Sequence, residues 1–204
     1  MNYKIGTRGS KLALAQADLV RTRLQEAYPE DTFELKVIRT KGDQLKDVPL
    51  GKIGDKGIFV REIEEQILEG KIQLGVHSMK DMPSQPALGL VFAKAWKRED
   101  ARDVLILRKE KSLSDLPEGA VIGTGSMRRK FQLLAMRRNI QIVDIRGNVD
   151  TRLKKMQEQK LDGIVLAAAG LKRLGMEQII TQYFEADEMI PAPAQGILAL
   201  ELQS

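Results

Sequence analysis

The chain has 204 residues, 43% hydrophobic and 30% charged, with a net charge of +5, which is enough apolar material for one large core or two small ones. It has no cysteine and one histidine, His77, so disulfides, thiolate catalysis and Cys- or His-cluster metal sites within one chain are excluded. No window reaches the run of about eighteen apolar residues needed to span a membrane. The N-terminus also lacks the basic and then apolar pattern of a secretory signal, and the expectation is a cytoplasmic protein whose positive charge attracts anions.

Residues 3–7 (YKIGT) read as a strand entering a turn at Arg8-Gly9. Ser10 then caps a helix with an apolar face of Ala13, Ala17, Val20, Leu24 and Ala27. Phe33, Leu35 and Val37 alternate as a strand does. The stretch LGKIGDKGIF (50–59) leads into a helix carrying Val60, Ile63, Ile67 and Leu68, and Ile72, Leu74 and Val76 alternate up to HSMKDMP. The polar AKAWKRED (93–100) marks a domain crossing, with Trp96 as packing. Beyond it, VLIL (104–107), VIG (121–123) and IQIVDI (140–145) read as strands, and GIVLAAAG (163–170) as a short apolar strand turning directly into a small-residue helix start. A helix follows TGSMRR, another begins near Thr151, and AQGILALEL closes on a further strand. Strand and helix in repeated alternation predict α/β architecture.

Arg8, Lys80, Arg128, Arg129, Arg146 and Arg152 all come shortly after predicted strands. In open α/β sheets that edge binds ligands, helix N-termini there offer unpaired N–H groups, and arginine presents a planar fork matched to carboxylates. Together they predict a pocket for a ligand with several carboxylates, although any one of them taken singly is as well read as a loop arginine facing water. In GTGSMRR (123–129) the two glycines suit a tight turn, and Thr124 and Ser126 offer hydroxyls. Cations in a first helical turn oppose the helix dipole, so a bound anion would account for Arg128 and Arg129. Asp81 follows a strand in HSMKDMP beside Lys80 and Pro83. Alone it reads more readily as a turn-capping acid, and in a cationic pocket as a group that stabilises positive charge or moves a proton. His77 reads as a structural hydrogen-bonding residue.

TRGSKLAL, GKIGDKGIF, HSMKDMP, GTGSMRR, RGNVDTRL, LAAAGLKRLG and PAPAQG, in this order and covering the whole chain, resemble the porphobilinogen deaminase (hydroxymethylbilane synthase) family. The resemblance implies a transferase of porphyrin and haem biosynthesis that condenses porphobilinogen stepwise into linear hydroxymethylbilane with release of ammonia. It implies two periplasmic-binding-protein-like (type II) α/β domains joined by a two-segment hinge around a cleft. Domain 1 would be 1–96 with 190–204, domain 2 would be 97–189, and a third, cysteine-bearing domain is missing from this chain. Asp81 matches the catalytic aspartate. Arg8, Ser10, Lys80, Thr124, Ser126, Arg128, Arg129, Arg146, Arg152, Arg173 and Gln195 match positions that hold cofactor and substrate, and Lys52 and Lys56 match lysines of a mobile loop. The cofactor implied is dipyrromethane, whose attachment cysteine this chain lacks, so the expectation is an inactive truncated chain. A monomer is implied, with a small poly-carboxylate substrate and no nucleic-acid, membrane or metal partner.

Asp55 stands where the family usually has glycine, Gly125 where serine is common, and Met82 where valine is common; none removes a named catalytic group. A non-enzymatic anion-binding module of the same fold stays open as an alternative. A nucleic-acid-binding role is weakened by 4% aromatics and by arginines placed in loops.

Overall fold

The computed structural model describes residues 1–44 and 60–204; Lys52, Asp55 and Lys56 lie outside the described residues. The chain divides into two compact units, Met1–Arg98 with Ile197–Ser204, and Glu99–Gly196. The expected boundaries fell two residues earlier at the first crossing and seven earlier at the second. Residues 190–196 stay with the second unit because Gln195 and the Ile190 carbonyl bond to residues of that unit.

In the first unit the order is β1 (Asn2–Thr7), α1 (Lys11–Ala27), β2 (Thr32–Val37), the short α2 (Lys41–Gln44), α3 (Arg61–Leu68), β3 (Leu74–Ser78) and β4 (Leu90–Phe92). In the second it is β5 (Asp103–Leu107), β6 (Val121–Gly123), α4 (Met127–Met136), β7 (Gln141–Val143), α5 (Val149–Glu158), β8 (Gly163–Ala167), α6 (Ala168–Arg173) and β9 (Gln182–Tyr183). The last strand, β10 (Leu198–Gln203), returns to the first sheet.

The sheet orders are β2-β1-β3-β10-β4 and β7-β6-β8-β5-β9. In each, three strands run parallel, and the strand that enters directly after a crossing lies antiparallel beside them: β10 against β3, and β5 against β8. The inner strands β3 and β10, and β5 and β8, are covered on both faces, and most of their residues are buried. The expected alternation at Ile72, Leu74 and Val76 therefore understates β3, where Gly75 and His77 are buried as well. In β5 and β8 alternate residues serve opposite faces. Leu105 and Val165 pack with α4's Leu133, whereas Val104, Ile106, Ile164 and Leu166 pack with α5's Met156 and α6's Leu171.

The α1 helix begins at its Ser10 cap, whose Oγ accepts from Ala13 N at 3.2 Å. Ala17 and Val20 are buried as its spacing predicts, while Ala27 is exposed. Gln16 is buried in addition because its amide reaches the Ser78 hydroxyl at 3.1 Å. The α5 helix starts two residues before the expected Thr151.

Candidate functional site

In the first unit, Arg8 leaves the carboxyl end of β1 half-buried, and Lys80 and Asp81 leave that of β3 on a one-turn 3-10 helix, Met79–Asp81. This turn is anchored at both ends: Met79 N donates to Ile197 O at 3.0 Å, and Met82 N to Met79 O at 3.1 Å. Lys80 and Asp81 are exposed, so the Asp81 carboxylate stands in water on a fixed backbone. His77, behind it, is 3.3 Å from Glu201 with both side chains buried, a structural pair of β3 and β10.

In the second unit, Thr124 leaves β6 and is held by its N–H on Val143 O at 2.9 Å. Ser126 caps α4 by accepting from Arg129 N at 3.4 Å. Neither Gly123 nor Gly125 has a positive φ, so the expected glycine turn is not the reason for them. Both lie in close approach: a Cβ on Gly125 would meet Asp144 Oδ1 at 2.7 Å, and one on Gly123 would meet Leu161 at 2.9 Å, so a side chain at either position would displace its neighbour. The loop after β7 thus packs directly on the one after β6. On that loop Arg146 lies 3.4 Å from Asp144, and Arg152, in the first turns of α5, gives Nε to Gly147 O at 2.7 Å.

The structure gathers Arg128, Arg129 and Gln195 around one acid that the sequence did not single out. Asp103, the first residue of β5, is fully buried. Its Oδ1 accepts from Arg129 Nε and Nη2 at 3.0 and 2.7 Å and from Gln195 Nε2 at 2.9 Å. Its Oδ2 is ion-paired with Arg128 Nη2 at 2.6 Å. Burial alone would raise the Asp103 carboxyl, but Arg129, Gln195 and Arg128 outweigh it and hold it below the usual carboxylate range. The anion that two arginines at a helix start seemed to require is therefore supplied in part from inside the protein. Arg129 and Gln195, expected to touch a ligand, are only 6% and 1% exposed, because their polar groups are turned inward to Asp103, Val165 O and Ala101 O. Arg128 keeps a quarter of its side chain exposed.

Arg173 is the opposite case. Its Nη2 donates to Gly196 O at 2.6 Å, burial pushes its guanidinium below the ordinary arginine value against a weaker opposing pull from Glu99, and no ion-pair partner is recorded for it among the described residues. A desolvated cation in that state favours an added anion. Among the described residues no group of three His, Asp or Glu side chains could hold a metal ion, and no helix is long and apolar enough to cross a membrane.

Both units have the type II periplasmic-binding-protein architecture. A probable amino-acid ABC transporter extracellular-binding protein from Bacillus subtilis, 11% identical, aligns with 100% of this chain and 84% of its own at a TM-score of 0.56, a likeness of fold alone. The sequence places the chain more narrowly: it belongs to the porphobilinogen deaminase family. The family model described as "Porphobilinogen deaminase, dipyromethane cofactor binding domain" matches residues 3–204. Relatives named porphobilinogen deaminase include those of Lachnospira eligens, 62% identical over 98% of this chain and 69% of its own length, and Clostridioides difficile, 58% identical over 100% and 68%. The function is that of a transferase, hydroxymethylbilane synthase, which condenses porphobilinogen into a linear tetrapyrrole with release of ammonia, and its cofactor is dipyrromethane. Arg173 fits the carboxylates of such a group; the 204 residues hold no cysteine to bond it.

Proposed function

We propose that, within this reaction, Asp81 is the catalytic residue. Arg8, Ser10, Lys80, Thr124, Ser126, Arg128, Arg146, Arg152 and Arg173 hold the carboxylates of porphobilinogen and dipyrromethane. One observation carries this reading. In both sheets the described members of this set follow the carboxyl ends of the parallel strands β1, β3, β6, β7 and β8, the edge at which open α/β sheets take ligands.

Breaking the aminomethyl C–N bond of porphobilinogen releases ammonia and leaves positive charge on the pyrrole and its methylene carbon. The Asp81 carboxylate stabilises that charge, accepts from pyrrole N–H groups, and pairs with the aminomethyl group as its ammonium, so that it leaves as neutral ammonia. Dipyrromethane, when bound, supplies the pyrrole end that elongation extends. The test is Asp81→Ala in the full-length protein: ammonia release is lost while porphobilinogen binding is kept. Retained ammonia release would remove Asp81 from this role.

The chain works as a monomer in the cytoplasm without nucleic-acid or membrane partners. In support of the absence of a nucleic-acid partner, its site arginines are spread over the loops and helices that follow the strands of two separate sheets instead of along one helix face. A dimer in sedimentation at working concentration would count against it.

A further inference from the structure

Asp103 takes no part in the chemistry above, yet it is fully buried among three side chains of the candidate site. Its two oxygens divide their partners. Oδ1 alone takes Arg129 Nε, Arg129 Nη2 and Gln195 Nε2. If the carboxylate served only to neutralise Arg129, Oδ2 would be free to turn towards the same guanidinium. Instead Oδ2 is buried without an aligned hydrogen bond and stands 2.6 Å from Arg128 Nη2.

The Arg128 guanidinium is fixed at a second point, where Nη1 donates to Ile190 O at 2.5 Å. Two fixed nitrogens set the plane of the fork and leave its Nε–H and one hydrogen on each Nη. Arg128 also lies in the first turn of α4, where the helix dipole opposes a cation, so an acid placed beneath it offsets that cost. Arg129 is unlike its neighbour: Nε and Nη2 go to Asp103 and Nη1 to Val165 O at 3.0 Å. Gln195 completes the frame. It sits between Ala194 and Gly196, both at positive φ (58° and 91°), and its Nε2 also reaches Ala101 O at 2.7 Å.

We propose that Asp103 is a positioning residue for substrate binding: it presents Arg128 to a porphobilinogen carboxylate, while Arg129 and Gln195 hold Asp103 and not the ligand. This rests on Arg128 being a carboxylate ligand, as proposed above. The test is a double-mutant cycle on the full-length protein, with Kd for porphobilinogen read by titration calorimetry. With Asp103 present, Arg128→Gln weakens binding about tenfold or more. In the Asp103→Asn background the same change weakens it less than about twofold, because the fork is no longer presented. If Asp103→Asn alone does not fold, Asp103→Asn with Arg129→Gln removes both buried charges together and serves as the background lacking Asp103. The same loss for Arg128→Gln with and without Asp103 overturns the positioning role and leaves Arg128 a ligand. No loss in the presence of Asp103 removes Arg128 from the site and the inference with it.

Discussion

The two units carry their charged site residues in opposite ways. In the first, Lys80 and Asp81 are exposed on a backbone-anchored turn after β3. In the second, Arg128 and Arg129 are drawn onto a buried acid, and Arg173 is desolvated without an ion-pair partner recorded among the described residues. An exposed carboxylate costs the fold little and is open to a reacting amine. Buried arginines need an internal counter-charge, and the half-buried Arg173, with only a weaker pull from Glu99 against its desolvation, favours an added anion. On the proposed reading, the first unit offers the chemistry and the second the fixed recognition of anions.

The following measurements would break or sharpen that contrast. Asp81→Asn should lower kcat by about 10²–10⁴-fold and leave the unfolding midpoint in place, since its side chain is exposed; a matching loss of stability would mean that the turn itself depends on it. Arg129→Met should do the reverse. It leaves Asp103 without its main partner and costs about 3–5 kcal/mol of stability, read as a fall in the urea midpoint.

Arg173→Gln should separate binding from folding. Porphobilinogen affinity falls about tenfold, as expected for one charge-assisted contact, while stability changes by no more than about 1 kcal/mol. A large loss of stability with unchanged affinity would make Arg173 structural.

The units should also differ in their response to pH. Asp100 is held at about 2 by Arg102, and Asp103 is lowered as well. A carboxyl depressed in the folded state stabilises above its unfolded value, and that contribution is lost as pH falls through its folded value. The second unit thus weakens as pH drops from 3.8 towards about 2, and Asp100→Asn should flatten the slope. In the first unit Glu64 is raised by burial and then by Glu201. A raised carboxyl favours the folded state below its unfolded value, 4.5, and that contribution is lost as pH rises through its folded value. Glu64→Gln should remove this loss. Trp96, the only tryptophan, packs in the first unit's core under Arg23, so its fluorescence follows that unit alone. The smallest effect belongs to Ala194→Gly, which relieves roughly 1 kcal/mol of left-handed strain beside Gln195 and should raise the thermal midpoint slightly.

Much of this was legible in local sequence. Ser10 and Ser126 announce the starts of α1 and α4 because an N-cap needs only a hydroxyl three residues from the N–H it accepts. The strand ends carrying Arg8, Asp81, Thr124 and Arg146 follow from short apolar runs that stop at polar residues. Asp103 was not legible: ARDVLIL reads as an acid opening a strand, and its partners lie 26 and 92 residues away. The same separation hid the His77–Glu201 pair, whose members meet only because β10 returns beside β3.

By itself the sequence determined the α/β alternation, the helix starts, a first crossing within residues 93–100 and the family, since these depend on short-range patterns and on motif order. Only the tertiary structure decided which charges face water and which are spent inside. Arg128 and Arg129 are adjacent in the chain and alike in type, but successive residues of a helix point about 100° apart. One turns into the core against Asp103 and the other keeps part of its fork outside.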